Sequence, residues 1–189
     1  MHNEANNPDN VAGRVPGNNP QTTEMGVEEM LNENNMVFRD TVSQAFRDKF
    51  SQVVNAYLAM KDGFVADNWK QIDQQAAQMT ALLNSMPDRL LRGEALNYWK
   101  EKKGFLLEHL KLYKESEKDK EKRKNFVFLS TVMAKSVKAF GYGNQKLYVD
   151  YCPMANGNKG AYWLSQTKEI RNPYLGQKMP TCGEVRKEL

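Results

Sequence analysis

The chain has 189 residues, of which 40% are hydrophobic and 26% charged, and a formal net charge of +4. This length accommodates one domain with a buried core and an appended segment. No apolar run approaches the roughly 18 residues that a membrane-spanning helix needs, and the start, MHNEANNPDN, lacks the basic and apolar regions of a signal peptide. The composition therefore excludes a helical membrane protein.

The positive charge is unevenly distributed along the chain. Residues 1–35 contain one Arg and six acidic residues, so the remainder carries +9. Between Lys100 and Lys124, ten basic residues are mixed with six acidic ones, which is typical of a solvated helical hairpin and not of a groove that follows phosphates. We therefore expect no nucleic-acid binding.

The first 35 residues are predicted to be a disordered tether. They contain nine Asn and three Pro and no aromatic residue, so they bury too little apolar surface to offset the entropy of ordering. Such a start fits either a trimmed secreted protein or a cytosolic protein with a flexible start. Two cysteines do not decide between these compartments.

Residues 36–142 have the spacing of four amphipathic helices. The first helix is predicted to begin near Met36 and to run for about 30 residues, because apolar side chains recur every three or four positions. Its apolar face comprises Phe38, Val42, Phe46, Phe50, Val53, Tyr57 and Phe64. A second helix follows a cap at Asp67 or Asn68 and ends before Pro87.

The third helix is predicted from about Gly93 to Glu117, and the fourth from about Asp119 to Phe140, where Gly141 ends it. The connections between the four helices are short, and no helix can bury its apolar stripe alone. We therefore predict an all-α fold, an up-and-down four-helix bundle.

Residues 143–189 are predicted to form a small lobe packed on the bundle. Leu147, Val149 and Tyr151 alternate with other side chains, and the turn sequence ANGNKG leads into AYWLS, which is typical of a β-hairpin. The remainder, RNPYLGQKMPTCGEVRKEL, is rich in turn residues and is expected to wrap irregularly over the end of the bundle.

This lobe contains both cysteines of the chain, each close to a methionine. Cys152 and Met154 lie two residues apart, so on an extended strand both point to one face, and Met179 and Cys182 can converge across one turn. Thiolate and thioether sulfurs are the ligands that favour a soft ion such as Cu(I). If the two halves meet, we expect the four sulfurs to form a site for Cu(I) or Ag(I).

The same thiols can instead form a disulfide. A Cys152–Cys182 bond closes a loop of about 31 residues and, on the chain-entropy account, stabilises the fold by roughly 3.7 kcal/mol. Two widely separated cysteines without a C-x-x-C pair are a weak metal signal, so spacing alone slightly favours the disulfide. The methionines would then be ordinary hydrophobic side chains. The aromatic residues expected to contact a protein partner are then Tyr162, Trp163 and Tyr174.

No catalytic site is expected. His2 lies in the tether, so ordered residues cannot complete a Cys2His2 zinc site. A thiol enzyme in which His109 activates Cys152 or Cys182 is the remaining catalytic alternative, but neither an orienting third group nor an oxyanion-hole signature accompanies it. The haem-attachment, Walker and dinucleotide motifs are absent.

Several segments resemble a bacterial domain family of unknown function, family 3347. They are YLAMKDGFVADN, KRKNFVFLS, YCPMANGNKGAYWLS and EIRNPYLGQKMPTCGEV, and the similarity spans roughly residues 38 to 185. The C-terminal pieces CPMA, WLS, NPY-x-G-x-x-M and CGEV are the specific ones, whereas the helical part is similar in pattern only. This chain has Leu175 where an aromatic residue commonly follows NPY.

Members of this family occur in secreted or lipid-anchored proteins and as appendages of the periplasmic adaptor subunits of copper/silver-type efflux pumps. The resemblance implies a helical bundle, a periplasmic or outer-membrane-attached location, a lipid anchor on the precursor and heavy-metal handling through Cys152, Met154, Met179 and Cys182. No adaptor domain accompanies these segments, so we predict a stand-alone soft-metal-binding protein, a buffer or a donor to efflux-pump or other periplasmic partners.

Overall fold

The computed structural model describes residues 26–32 and 36–189. In this part of the chain the helices are α1 (Val27–Leu31), α2 (Gln44–Val65), α3 (Trp69–Ser85), α4 (Gly93–Glu115) and α5 (Asp119–Phe140). The strands are β1 (Tyr148–Cys152), β2 (Ala161–Ser165) and β3 (Glu184–Glu188). Short helical turns lie at Asp88–Leu90, Ala155–Asn158 and Gly176–Lys178. None of these described helices combines the length and the apolar character required to span a bilayer.

Helices α2 to α5 form the bundle that the sequence predicts. α2 packs mainly against α3, α4 packs mainly against α5, and contacts between α3 and α4 and between α2 and α5 close the bundle. At one end four aromatic rings pack against one another with centroids 4.8 to 5.9 Å apart. These rings belong to Phe46, Phe50, Trp99 and Phe140. The predicted fold class, four long helices with a small C-terminal β lobe, is confirmed.

The first long helix is shorter than predicted. It begins at Gln44, because the hydroxyl of Ser43 accepts the N–H of Phe46 and caps the helix. Phe38 and Val42 are buried as predicted, but they lie in a non-helical turn that is anchored where the Phe38 N–H donates to the Ala139 carbonyl. The predicted helix of about 30 residues is therefore wrong, because apolar spacing continues across this turn.

The other helix ends agree with the sequence. The side-chain oxygen of Asn68 accepts the N–H of Gln71 at the start of α3, and α3 ends before Pro87. Gly141 follows α5 with a φ of 77°, a conformation that glycine adopts at little cost.

Residues 26–32 are not part of a tether. Helix α1 packs against α5, with Met30 and Leu31 buried, and the Lys138 ammonium donates to the Leu31 carbonyl at 3.1 Å. The predicted disorder is wrong for this segment, because its two large apolar side chains find a place in the core. The other residues of the predicted tether lie outside the described residues.

The lobe contains a three-stranded antiparallel sheet in the order β2–β1–β3. The predicted hairpin of β1 and β2 is confirmed, with Asp150 opposite Trp163, and β2 packs against α5. The third strand corrects the expectation of an irregular C-terminal segment. In β3 half-buried Val185 and Lys187 alternate with exposed residues, a pattern with a period of two that pairs with β1 across a bulge.

Candidate functional site

The structure brings Cys152 and Cys182 together. Cys152 is the last residue of β1, and Cys182 lies in the turn before β3, the strand that pairs with β1. The two sulfur atoms are 2.7 Å apart, with Cys152 fully buried and Cys182 half-buried. Strand pairing therefore makes neighbours of two of the four predicted sulfur ligands.

This close approach depends on Gly183, the residue after Cys182. Its φ of 139° is unfavourable for other residues, and a Cβ atom here would lie 2.8 Å from both the Trp163 ring and the Tyr151 carbonyl oxygen. Only glycine lets the backbone pass this close to β1. The pairing of Cys and Gly in the CGEV segment thus has a geometric reason.

The contact between the thiols also sets the acidity of Cys182. Its hydrogen bond with Cys152, followed by burial, raises the pKa of the Cys182 thiol to about 11. Since the thiolate is the nucleophile and the metal ligand, the reduced form of this residue is poorly reactive near neutral pH. Oxidation to a disulfide and replacement of the thiol protons by a metal ion are the two reactions that suit such a pair.

Met154 and Met179 lie at the surface of the lobe, with exposed fractions of 46% and 41%. Met179 shares a turn with Cys182, whose N–H donates to the Met179 carbonyl at 3.3 Å. Met154 follows β1 and lines a cleft that also contains Trp69. The four-sulfur site stays a prediction, because the sulfur contact that the structure shows is the one between the two thiols. Within residues 26–32 and 36–189, no group of three or more His, Cys, Asp or Glu residues is arranged to hold a metal ion.

His109 packs between the two helices α4 and α5. The centroid of its ring lies 4.7 Å from the ring centroid of Phe105 and 4.6 Å from that of Phe128. Its Nδ1 is 3.1 Å from the side-chain oxygen of Asn125. These contacts are those of a packing residue. They give no support to the alternative in which His109 activates a cysteine.

The three aromatic residues expected to face a protein partner are buried instead. The exposed fraction is 6% for Tyr162, 0% for Trp163 and 7% for Tyr174. The Tyr174 hydroxyl donates to the Tyr162 carbonyl, and the Tyr174 ring packs 5.9 Å from that of Trp163. That expectation is wrong because Tyr162 and Trp163 lie in β2, which is buried along its whole length, and Tyr174 packs against them in the core of the lobe.

Asp150, which the sequence analysis did not single out, is a fully buried carboxyl group in the centre of β1. In the described part of the chain neither of its oxygens has a hydrogen bond of ordinary geometry, and the same holds for the Trp163 indole N–H and the Ser165 hydroxyl. Burial raises the pKa of Asp150 to about 7, while Ser165, Lys61 and Trp163 oppose the shift. An acidic residue inside an otherwise apolar strand was the available signal.

Arg123 of α5 connects the bundle to the lobe. Its guanidinium donates to the carbonyls of Phe64, at 3.2 Å, and Pro173, and it forms an ion pair with Asp67. Asp67 in turn accepts the N–H of Gln177 at 3.1 Å. Burial lowers the pKa of Arg123, and Asp67 opposes that shift. One side chain therefore fixes the NPYLGQK segment to the end of α2.

Asn172 continues this connection toward the cysteines. Its side-chain oxygen accepts the N–H groups of Tyr174 and Leu175 at 2.8 and 3.0 Å, and its amide donates to the Cys182 carbonyl at 2.7 Å. Asn172 is fully buried, so each of these bonds replaces one with water. The segment that begins at Asn172 and the cysteine turn are therefore held as one unit.

A cleft of about 800 Å³ separates the first turns of α5 from this unit. Its other walls are the turn between α2 and α3, residues 154–159 and residues 174–178. The cleft therefore lies where the two motif-bearing segments of the lobe meet the bundle.

Comparison with known proteins gives one match. No curated protein and no solved structure is significantly similar to this chain. Residues 53–145 match a family model; they contain the second half of α2 and all of α3, α4 and α5, and they end before β1. The resemblance inferred from the sequence is thereby confirmed, over a shorter range than predicted. The family that residues 53–145 match is the one described as Protein of unknown function (DUF3347).

Proposed function

We propose that this protein is a non-catalytic, extracytoplasmic binding module whose C-terminal lobe is closed by a disulfide between Cys152 and Cys182. The observation that carries the proposal is the contact between the two sulfurs, which lie 2.7 Å apart with Cys152 buried. The raised pKa of Cys182 suits a structural pair better than a nucleophile.

The proposed disulfide supports an extracytoplasmic location. Disulfides persist in the periplasm and in secreted proteins, whereas the cytosol keeps thiols reduced. The family resemblance implies the same compartment. The partners of such a module are periplasmic proteins, including components of efflux pumps.

The disulfide is expected to change the mass of the protein and its free energy of unfolding. Protein isolated without reductant from an oxidising compartment is expected to be lighter by the mass of two hydrogen atoms than its reduced form. Closing a loop of about 31 residues is expected to raise the free energy of unfolding by roughly 3 to 4 kcal/mol. Native mass spectrometry and urea unfolding with and without reductant measure both quantities.

A matched control separates the disulfide from general effects of the reductant. The double variant Cys152→Ser/Cys182→Ser is expected to show the stability of the reduced protein in both conditions. Full thiol mass in protein from an oxidising compartment contradicts the proposal.

A second candidate function is the binding of Cu(I) or Ag(I) by the reduced protein, as buffer or donor to efflux partners. The arrangement of the cysteine turn favours it, because Met179 is in the same turn as Cys182 and the half-exposed Met154 is two residues from Cys152. Two thiolates with two thioethers form a soft ligand set. A metal would have to displace thiol protons, so its affinity should rise with pH.

Copper binding is tested by removing the thioethers while the thiols stay in place. The variant Met154→Leu/Met179→Leu is expected to retain at least tenfold less Cu(I) under anaerobic conditions. Its melting temperature is expected to stay unchanged, because both side chains are exposed. Met36→Leu, outside the lobe, is the control. Native mass spectrometry counts the bound copper, and equal retention in all three proteins contradicts this candidate.

A further inference from the structure

The cleft between the bundle and the lobe has a lining that points to a class of ligand. Its volume of about 800 Å³ lies within the range of small-molecule sites in proteins. Four separate segments of the chain contribute to it, two from the bundle and two from the lobe. Ligand binding here would therefore depend on the docking of the lobe described above.

One part of the lining is apolar. Trp69, Val127 and Leu175 are partly buried and pack against the hydrophobic core, and Met154 adds a side chain that is 46% exposed. Apolar surface that stays in contact with water favours a ligand with an apolar body, because covering it removes both surfaces from water. This surface alone does not decide the charge of the ligand.

The charged residues of the lining indicate the charge of the ligand. The cleft has five basic and three acidic side chains. Arg123 is neutralised by Asp67, and Lys124 lies 4.0 Å from Glu121. The lining residues that remain without a described ion-pair partner are Lys120, Lys159, Lys178 and Asp119.

The three lysines come from different parts of the fold. Lys120 is in the first turn of α5, Lys159 follows the turn at Ala155–Asn158, and Lys178 ends the turn at Gly176–Lys178. Asn156 and Gly157 have φ values of 54° and 66°, so a left-handed turn precedes Lys159. Set against the one negative charge of Asp119, the three lysines leave a net charge of +2 on these four lining residues, and a net positive cleft attracts an anion.

We propose that this cleft binds a small organic anion with an apolar body, such as a medium-chain carboxylate, with the head group at the lysines and the chain on the apolar lining. The proposal rests on the proposed binding role and gives it a ligand class. The cleft binds such a molecule without chemical change.

Isothermal titration calorimetry of the full chain with decanoate tests the proposal. Decanoate is expected to bind, and the affinity is expected to rise by about tenfold for every two methylene groups from octanoate to dodecanoate. Decyltrimethylammonium, which has the same chain and the opposite charge, is expected to bind at least tenfold more weakly. Equal binding of the two probes, or no binding of decanoate, overturns the proposal.

Two variants locate the site. Replacing Lys120, Lys159 and Lys178 together with Gln is expected to weaken decanoate binding about tenfold without unfolding, since all three are exposed. Lys49→Gln/Lys114→Gln changes exposed lysines outside the cleft lining and is expected to keep the affinity. Equal affinities in the two variants overturn the proposal.

The two proposals fail in different ways. If the disulfide is present but decanoate does not bind, the ligand class is wrong while the cross-linked module stands. If the thiols are free but decanoate binds in the cleft, the disulfide is wrong and the ligand site stands.

Discussion

Replacing Asp150 with Asn is expected to stabilise the protein by up to about 4 kcal/mol at pH 8 and to have little effect at pH 4. The wild-type carboxyl is fully buried, and burial raises its pKa from 3.8 to about 7. A raised pKa means that the folded state holds a proton that the unfolded state releases. The contribution of Asp150 is therefore fully present below about pH 4 and is lost as the pH rises through 7.

The measurement is urea unfolding of both proteins at several pH values between 4 and 8. Lys61 of α2 and Tyr57 interact electrostatically with Asp150, but both proteins contain them, so the difference in unfolding free energy isolates the carboxyl. Asp40→Asn, at an exposed position, is the control and should show no such difference. A parallel pH dependence of the Asp150→Asn variant and the wild type contradicts the expectation.

Replacing Arg123 with Met is expected to destabilise the protein by about 1 to 3 kcal/mol, because one carboxylate and two carbonyls lose a charged donor, while the Asp67 side chain, 39% exposed, keeps contact with water. Those groups are the Asp67 carboxylate and the carbonyls of Phe64 and Pro173. Hydrogen exchange in the variant is expected to accelerate more in residues 172–178 than in α2, relative to the wild type. Arg123→Lys keeps the charge but not the planar fork, so an intermediate loss is expected.

The effect is measured by urea unfolding together with hydrogen exchange followed by mass spectrometry. Arg89→Met removes an exposed arginine of the turn at Asp88–Leu90 and serves as the control. A double-mutant cycle with Asp67→Asn gives the coupling energy of the pair. An equal increase in the rate of hydrogen exchange over the whole chain would contradict the expectation that Arg123 holds residues 172–178 in place.

The bundle could be predicted because its information is local. The ends of α3 and α5 are determined by single residues next to them in the sequence. These residues are the caps Asn68 and Gly141 and the helix-breaking Pro87, and the observed ends agree with them. Spacing alone failed at Phe38 and Val42, since a residue can reach the core from a turn as well as from a helix. The cap at Ser43 was the feature that distinguished the two.

The lobe was less predictable because its contacts are long-range. The hairpin follows from the alternation around ANGNKG, but the pairing of β3 with β1 depends on a segment more than thirty residues away. No local rule indicates that Arg123 contacts Pro173 or that Asp150 is buried beside Trp163. For the candidate site, the sequence identified the thiols that meet and could not establish whether Met154 and Met179 join them.

The hydrogen bond between Tyr57 and Leu164 has a consequence for folding during synthesis on the ribosome. The Leu164 N–H donates to the Tyr57 hydroxyl across 107 positions of sequence, and β2 covers α5. During synthesis from the amino terminus, all four long helices leave the ribosome before β2 does. The nascent helices therefore have an uncovered apolar face until β2 has been made, and Cys152 cannot contact Cys182 until 30 further residues have been added.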